Sequence, residues 1–180
     1  SNGVVLLQQK VDGSDLRMLV IGGRFVAATR RIPASVTGDG KKTLRELIRY
    51  ENETNPERGE NDEKRLSLIS LDASERFLGS RLDSEIPAAN EKVTVVGTAN
   101  IGAGGLAMDY TDNVPAEIIA AAETFAQTVK IIACGVDFIW SEETGTFYFI
   151  EGNACPGFCL HIEPAVGTSR PVQCAGKNLG

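Results

Sequence analysis

The sequence predicts an α+β fold in which an antiparallel β-sheet is covered by helices. Two observations support this. Short glycine-containing turns join consecutive β-rich segments, and the helical segments do not alternate with single strands as they do in parallel sheets. The chain has 180 residues, of which 42% are hydrophobic. That is enough for one core or for one large lobe of a longer protein.

The first half of the chain predicts a hairpin, a helix and a loop. Gly22-Gly23 joins the β-rich runs LRMLVI and RFVAATRRI, which is a strong hairpin signal. The first helix is expected to begin at Thr43, because Thr43 and Glu46 match the S/T-x-x-E capping box. We predict a mobile loop at about 52–65, where the chain is polar.

Two more helices and three strands complete the predicted fold. LDASERFLGSRL indicates a helix with Asp72 as its N-cap, and VPAEIIAAAETFAQTV indicates a longer helix with Pro115 in its first turn. EKVTVVGTANIG predicts a strand that leads into the flexible turn GAGG. CGVDFIW and FYFIEGN then predict a second hairpin.

Charge and hydropathy exclude several classes of function. A formal net charge of −6 argues against a nucleic-acid partner. The sequence has no apolar run of the roughly 20 residues that a membrane span needs and no signal peptide, so we expect a cytoplasmic protein without a membrane partner. Cys155, Cys159 and the only histidine, His161, lie close together in sequence. Buried thiols in a reducing compartment are favoured over a metal site there.

Three polar side chains of the second hairpin, Asp137, Glu151 and Asn153, are predicted to share one face of the sheet. With a three-residue loop at 143–145, Asp137 would lie directly opposite Glu151. Oxygen donors of this kind suit Mg²⁺, which would also remove the repulsion between facing carboxylates. An exposed acidic face remains the alternative, because a four-residue loop would break this register.

Ordered blocks along the chain resemble a known family. CGVDFI followed by FIEGNACPGF is similar to the metal-binding hairpin of the ATP-grasp carboxylate–amine ligases. Further blocks in the same order resemble the C-terminal half of the ATP-grasp domain of cyanophycin synthetases and bifunctional glutathione synthetases: VDGSDLRMLVIGGRFVAATRRI, ENETNPERG, TANIGAGGLAMDYTD and PAVGTSRPV. The resemblance spans nearly the whole chain. We therefore interpret residues 1–180 as the C-terminal portion of an ATP-grasp domain whose N-terminal half is missing.

The resemblance implies an ATP-dependent ligase that joins a carboxylate to an amine. The carboxylate would take the γ-phosphoryl group of ATP to give an acyl phosphate and ADP, and the amine would then displace phosphate. ATP and Mg²⁺ would be the cofactors, with Mn²⁺ as a substitute, and the substrates would be amino acids or peptides. The resemblance does not identify which carboxylate and amine are joined, and it is compatible with an oligomer of the full-length protein.

The resemblance also implies roles for residues of this chain. The catalytic basic groups near the phosphates would be Arg17, Arg30 and Arg31. The nucleotide would be bound by Gln8, Gln9, Lys10 and Val11 under the adenine and by Asp15 at the ribose hydroxyls. The metal ligands would be Asp137, Glu151 and Asn153, and the substrate would meet Asn100, Gly104, Gly105 and Arg170.

The chain departs from the family pattern at three places. Gln8 and Gln9 stand where acids are usual, TANIGAGG lacks the usual Ser-Thr before its paired glycines, and Cys159 stands where Arg is frequent. The first departure favours the alternative of a non-catalytic nucleotide-binding module derived from an ATP-grasp enzyme. We also expect the 180-residue piece to be inactive alone, since the earlier lobe normally supplies lysines and a glycine-rich loop for the phosphates.

Overall fold

A five-stranded antiparallel sheet forms the centre of the protein. The computed structural model describes residues 9–60 and 64–170. The strand order is β7-β2-β1-β8-β9. These strands are β1 (Ser14–Ile21), β2 (Arg24–Ile32), β7 (Leu106–Asp109), β8 (Ala133–Trp140) and β9 (Phe147–Asn153). Each neighbouring pair runs antiparallel, so the predicted α+β class is confirmed.

Five helices and two small strand pairs flank this sheet in the described part of the chain. The helices are α1 (Leu44–Thr54), α2 (Leu71–Leu78), α3 (Arg81–Ser84), α4 (Ala116–Val129) and α5 (Cys159–Ile162). The pairs are β3 (Ser35–Thr37) with β6 (Lys92–Thr94), and β4 (Arg58–Gly59) with β5 (Leu66–Ser67). Within the described residues, every helix is too short or too polar to cross a membrane.

Two separate apolar clusters hold these elements together. One lies between α4 and one face of the large sheet, where Ala122 and Ala126 of the helix are buried against Leu16 and Met18 of β1. The other lies beneath α1, α2 and α3 and is built around the leucine and isoleucine stripe of α1. Burying one such side chain stabilises the fold by about 1.5–3 kcal/mol. Because α4 covers only one face of the sheet, the opposite face is left for the polar side chains described below.

The first hairpin and the first helix form as predicted. Gly22 (φ 59°) and Gly23 (φ 74°) both adopt left-handed backbone conformations, as a two-residue hairpin turn that matches the strand twist requires. At the start of α1, the hydroxyl of Thr43 accepts from the backbone N–H of Glu46, and the Glu46 carboxylate accepts from the backbone N–H of Thr43 at 2.8 Å. The predicted capping box is therefore present.

The segment predicted as a loop at about 52–65 contains regular structure. Helix α1 continues to Thr54, and Arg58–Gly59 then pairs with Leu66–Ser67. The Arg58 guanidinium is buried and donates to the carbonyl oxygens of Ser67 at 2.7 Å and Gly104 at 3.1 Å. A buried arginine with backbone acceptors orders this polar stretch, which composition alone does not reveal. Residues 61–63 lie outside the described residues.

Two further local predictions need correction. The N-cap of α2 is Ser70, whose hydroxyl accepts from the N–H of Ala73 at 3.2 Å, whereas Asp72 lies within the first turn. There its charge still complements the helix dipole. The strand expected over EKVTVVGTANIG is limited to β6, which ends at Thr94. The end of this segment, Ile101–Ala103, forms a 3-10 turn.

The turn of the second hairpin is one residue longer than predicted. The N–H of Ser141 donates to the carbonyl of Thr146 at 2.9 Å, and the N–H of Gly145 donates to the carbonyl of Ser141 at 2.9 Å. The four residues 142–145 therefore form the turn, with Gly145 in a left-handed conformation at φ 68°. A turn of this length by itself would shift the whole hairpin register by one residue.

A β-bulge in β9 restores the predicted register. Phe149 lies opposite Phe138, but Glu151 lies opposite Asp137, so Ile150 is the extra residue. The predicted pairing of Asp137 with Glu151 is therefore confirmed, although the loop from which it was derived was wrong.

We expect Gly152→Ala to lower the free energy of unfolding by about 1–3 kcal/mol. A Cβ atom at this position of β9 would collide with the ring of Phe125, which packs 4.9 Å from the ring of Phe149. Urea unfolding followed by tryptophan fluorescence measures the change. Gly157→Ala is the control, because its Cβ would meet only Leu160 at 3.7 Å. Equal stability of the two variants would contradict the expected collision.

Candidate nucleotide and metal site

A continuous polar row crosses all five strands of the large sheet. Asp109, Thr29, Arg17, Asp137 and Glu151 are successive direct partners on β7, β2, β1, β8 and β9. Side chains of directly paired residues point to the same face of a sheet, so the row lies on one face. It is the face opposite α4, because the neighbouring residues of β1 pack against that helix.

Arg17 and Asp137 form a buried two-bond ion pair at the centre of this row. Arg17 is 8% exposed and Asp137 is 2% exposed. Nε of Arg17 donates to Oδ1 of Asp137, and a terminal nitrogen of Arg17 donates to Oδ2 at 2.7 Å. Paired hydrogen bonds of this kind fix both the distance and the orientation of the two groups.

Arg31 extends the pair into a network of two arginines and two aspartates. One terminal nitrogen of Arg31 donates to Oδ2 of Asp137 at 2.9 Å, while its Nε donates to Oδ1 of Asp15 at 2.7 Å. Burial raises the pKa of Asp15 above its ordinary value, although the hydrogen bond from Arg31 acts in the opposite direction. Two positive and two negative groups balance formally, which offsets part of the cost of burying them.

A groove opens beside this network. Two adjacent cavities of about 400 and 530 Å³ share the lining residues Asp15, Arg31, Thr98 and Ala99. Arg17 also borders the larger cavity. Each volume falls within the range of small-molecule sites, and the groove places basic and acidic groups next to each other.

Most of the residues predicted to bind the adenine lie before β1. Gln9 and Lys10 are exposed and Val11 is half-buried, in backbone without helix or strand. Lys10 pairs with Asp12 at 3.1 Å on the surface. Gln8 lies outside the described residues.

The structure does not bring Arg30 together with the other two predicted catalytic arginines. Arg30 pairs with Leu16, a residue on the α4 side of β1, so its side chain leaves the sheet on the face opposite to Arg31. Its guanidinium donates to Glu142 at 3.2 Å, an acceptor that Tyr110 also contacts. Consecutive strand residues point to opposite faces, so Arg30 borders only the smaller cavity, and the sequence pair Arg30-Arg31 did not indicate which one would bond to Asp137.

Of the four residues predicted to meet the substrate, three lie in the turn before β7 and the fourth follows α5. Asn100 is exposed, borders the larger cavity and accepts from the N–H of Gly102 at 2.9 Å. Gly104 and Gly105 are buried in the turn that follows. Arg170 donates to Asp109 at 2.7 Å, so it lies at the β7 end of the polar row.

The predicted metal ligands have a donor set that fits Mg²⁺. Glu151 is exposed and accepts no hydrogen bond within the described residues, and Asn153 is exposed opposite Gly135 on the same strand pair. Two carboxylates and an amide supply oxygen donors only, which is the preference of Mg²⁺. The described residues contain no group of three or more His, Cys, Asp or Glu side chains that could hold a metal. The predicted ligand set therefore needs the amide oxygen of Asn153 as its third donor. The carboxylate of Asp137 already accepts three hydrogen bonds from arginines.

Three residues of this face were not predicted from the sequence: Thr29, Asp109 and, as part of the site, His161. Thr29 and Asp109 were overlooked because only the strand order makes them neighbours of Arg17. His161 of α5 is 1% exposed, and neither of its ring nitrogens has a hydrogen-bond partner within the described residues. The only feature of the sequence that could have drawn attention to His161 is that it is the single histidine of the chain.

The cysteines are placed differently from the prediction. Cys134 is buried as expected, but Cys155 and Cys159 are exposed. Cys174 lies outside the described residues.

We expect the imidazole of His161 to titrate far below the ordinary range and to make stability depend on pH. Burial, reinforced by the charge of Arg17 and opposed by that of Asp109, lowers the pKa of His161 to about 4 from an ordinary 6.5. Between these values the unfolded chain binds more protons. The free energy of unfolding should therefore fall as pH drops from 6.5 to 4, by up to about 3 kcal/mol.

Proton NMR measures this directly, because the chain has one histidine and its ring signal needs no assignment. The His161→Phe variant is the control: it should lose this part of the pH dependence of stability while keeping the part that comes from carboxylates. A ring signal that titrates near 6.5 in the folded protein would contradict the expectation.

Comparison with curated proteins finds relatives along most of the chain. It is 38% identical over 177 residues to the cyanophycin synthetase of Crocosphaera subtropica, an alignment that covers 93% of this chain and 20% of the relative. It is 32% identical over 174 residues to the glutathione biosynthesis bifunctional protein GshAB of Listeria monocytogenes, which covers 93% of this chain and 22% of that protein. No family model matches the chain.

A solved structure agrees with these relatives. The bifunctional glutathione synthetase from Pasteurella multocida superimposes with a TM-score of 0.66 at 29% identity, over 89% of this chain and 23% of that one. The chain thus spans about a fifth of the length of the relatives it matches.

These similarities confirm the resemblance that the sequence blocks indicated. The chain is a homologue of the ATP-grasp ligases, a class of enzymes that form carbon–nitrogen bonds. Within that class its relatives are the cyanophycin synthetases and the bifunctional glutathione synthetases.

Proposed function

We propose that this chain supplies one wall of the ATP and Mg²⁺ site of a ligase that joins a carboxylate to an amine through an acyl phosphate. The observation that carries the proposal is the polar row. It sets Arg17 and Asp137 beside Glu151 on the sheet face that borders the groove. Homology to ligases that form carbon–nitrogen bonds supports the reaction class.

In this proposal the metal is held by Asp137, Glu151 and Asn153. Their oxygens are the donors that Mg²⁺ prefers, and Mn²⁺ accepts the same ligands. When bound, the ion would neutralise charge on the phosphates of ATP during phosphoryl transfer. Glu151 is exposed and without a hydrogen-bond partner in the described part of the chain, so it can bind an ion without first breaking a contact.

Arg17 and Arg31 are proposed to bind the phosphate oxygens and then the acyl phosphate. A guanidinium offers five N–H donors in a planar fork that suits a phosphate, and each arginine here uses only some of them. Bonds to Asp137 and Asp15 hold both forks beside the groove before the nucleotide arrives. Such prearranged charges stabilise a transition state without a further cost of reorganisation. Arg30 has no part in this proposal, because its side chain lies on the other face.

The sugar and the substrates are assigned to the two ends of the groove. Asp15, half-buried at the groove wall, would accept hydrogen bonds from the ribose hydroxyls, and residues 8–11 would meet the adenine. Asn100, Gly104 and Gly105 would lie near the carboxylate substrate, and Arg170 would orient it from the β7 end. An acyl phosphate hydrolyses readily, so this half of the site would need a second lobe to exclude water.

Nucleotide binding tests the proposal. Asp15→Ala should weaken Mg-ATP binding by the full-length protein by roughly tenfold to a hundredfold, because a hydrogen bond to a charged group contributes about 1.5–3 kcal/mol. Calorimetry measures the affinity, and the melting temperature of each variant shows whether it folds. Asp72→Ala is the control, since Asp72 is exposed in the first turn of α2 and lines neither cavity of the groove. Unchanged Mg-ATP affinity in a folded Asp15→Ala protein would contradict the ribose assignment.

A non-catalytic nucleotide-binding module is the second candidate. The observation that favours it is the engagement of Asp137 by two arginines, which competes with a metal. A full-length protein that binds ATP yet releases no ADP with any amino acid or peptide pair would support this candidate over the ligase.

A further inference from the structure

The two acidic groups assigned to the metal differ sharply in their surroundings. Asp137 is 2% exposed and accepts three arginine hydrogen bonds, whereas Glu151, its direct partner on β9, is exposed with no such bond in the described residues. An ionised carboxylate has about four acceptor positions. Asp137 therefore has about one position left, on Oδ1, and a cation there would lie beside two guanidinium charges.

The two arginines do not hold Asp137 equally. Arg17 is nearly buried, lies directly opposite Asp137 in the strand register and makes two hydrogen bonds to it. Arg31 makes a single bond to Asp137 through one terminal nitrogen, whereas both this nitrogen and its Nε lie 2.7 Å from Oδ1 of Asp15. Arg31 also borders both cavities of the groove. Breaking one bond would let Arg31 turn into the groove while its bond to Asp15 acts as a pivot.

We infer that Arg31 controls access of the metal to Asp137: it covers Oδ2 in the free protein and releases it when a polyphosphate draws its guanidinium into the groove. This inference rests on the proposed function. Arg17 keeps the carboxylate in place throughout and acts as a positioning residue. Metal binding and nucleotide binding are then coupled, and each raises the affinity for the other by the same factor.

Covering of Asp137 by Arg31 has a measurable effect that direct bridging of metal and phosphate does not share. If Arg31 covers Asp137, removing its charge should strengthen binding of the metal alone while weakening binding of the nucleotide alone. An arginine that contacts only phosphate and lies away from Asp137 would leave the affinity for the metal alone unchanged.

The test uses the full-length protein and MnCl₂ as the probe, because bound Mn²⁺ is measured by electron paramagnetic resonance without turnover. Arg31→Gln is expected to bind Mn²⁺ on the order of tenfold more tightly than the parent in the absence of nucleotide, since one nearby positive charge is lost. The same variant should bind a non-hydrolysable ATP analogue at least tenfold more weakly. Arg24→Gln, at the exposed start of the same strand, is the matched control and should change neither affinity.

Two further variants test whether the charge of Arg31 causes the gain in Mn²⁺ affinity and whether the ion binds at Glu151. Arg31→Lys keeps the charge and should show no gain in Mn²⁺ affinity. Glu151→Gln combined with Arg31→Gln should lose the gain, which places the ion at this site. Tight nucleotide binding by the parent together with unchanged or weaker Mn²⁺ binding by folded Arg31→Gln would overturn the inference alone. Absence of both nucleotide and Mn²⁺ binding in the parent would overturn the proposed function as well.

Discussion

Asp137→Asn is expected to lower the free energy of unfolding by about 3–5 kcal/mol. The substitution keeps the size of the side chain but removes the negative charge that faces Arg17 and Arg31. Both members of the Arg17–Asp137 pair are nearly inaccessible to water, so the arginine charge would be left buried without its counter-charge. Urea unfolding of the 180-residue chain, followed by fluorescence of the single tryptophan, measures the effect.

Two comparisons test the origin of this loss. Asp83→Asn removes an aspartate that also makes two bonds to an arginine, Arg45, but on the surface, and should have a much smaller effect on stability. Replacing Arg17 and Asp137 together by Met and Leu should recover much of the stability, because no buried charge then remains unpaired. A loss below about 1 kcal/mol in Asp137→Asn would mean that water reaches this pair.

Glu151→Gln should reduce turnover of the full-length ligase by about a hundredfold or more and leave its stability unchanged. A metal ion contributes several kcal/mol of charge stabilisation in the transition state, and each 1.36 kcal/mol corresponds to a factor of ten in rate. The glutamine keeps one oxygen donor but loses the charge that the proposed metal site needs. Because Glu151 is exposed and accepts no hydrogen bond from the described residues, the fold does not depend on it.

Release of ADP in the presence of substrates that support turnover by the parent measures this effect. Glu143→Gln, in the exposed turn of the same hairpin, is the control and should retain full activity. Turnover within threefold of the parent in Glu151→Gln would remove Glu151 from the metal site. The two variants also separate two roles on one strand pair: Asp137 is expected to matter for both stability and chemistry, Glu151 for chemistry alone.

Local patterns were sufficient where the determining contacts lie within a few residues of one another. The turn at Gly22-Gly23 needs two left-handed residues in succession, and the capping box joins Thr43 to Glu46, so both could be predicted from the sequence. The register of the second hairpin was predicted from a wrong loop. The extra residue in the turn and the bulge at Ile150 offset each other, and neither could be predicted from the sequence of the hairpin.

Sequence patterns were enough to predict the α+β class, the main helices and hairpins, the family resemblance and the pairing of Asp137 with Glu151. It took the folded chain to reveal that Arg31 and not Arg30 bonds to Asp137, and that Arg17 pairs with an aspartate 120 residues away. The folded chain also revealed that His161 is buried beside that network. These contacts depend on the order of the strands in the sheet and on the face to which each side chain points. Long-range packing fixes both, and local propensity does not record them.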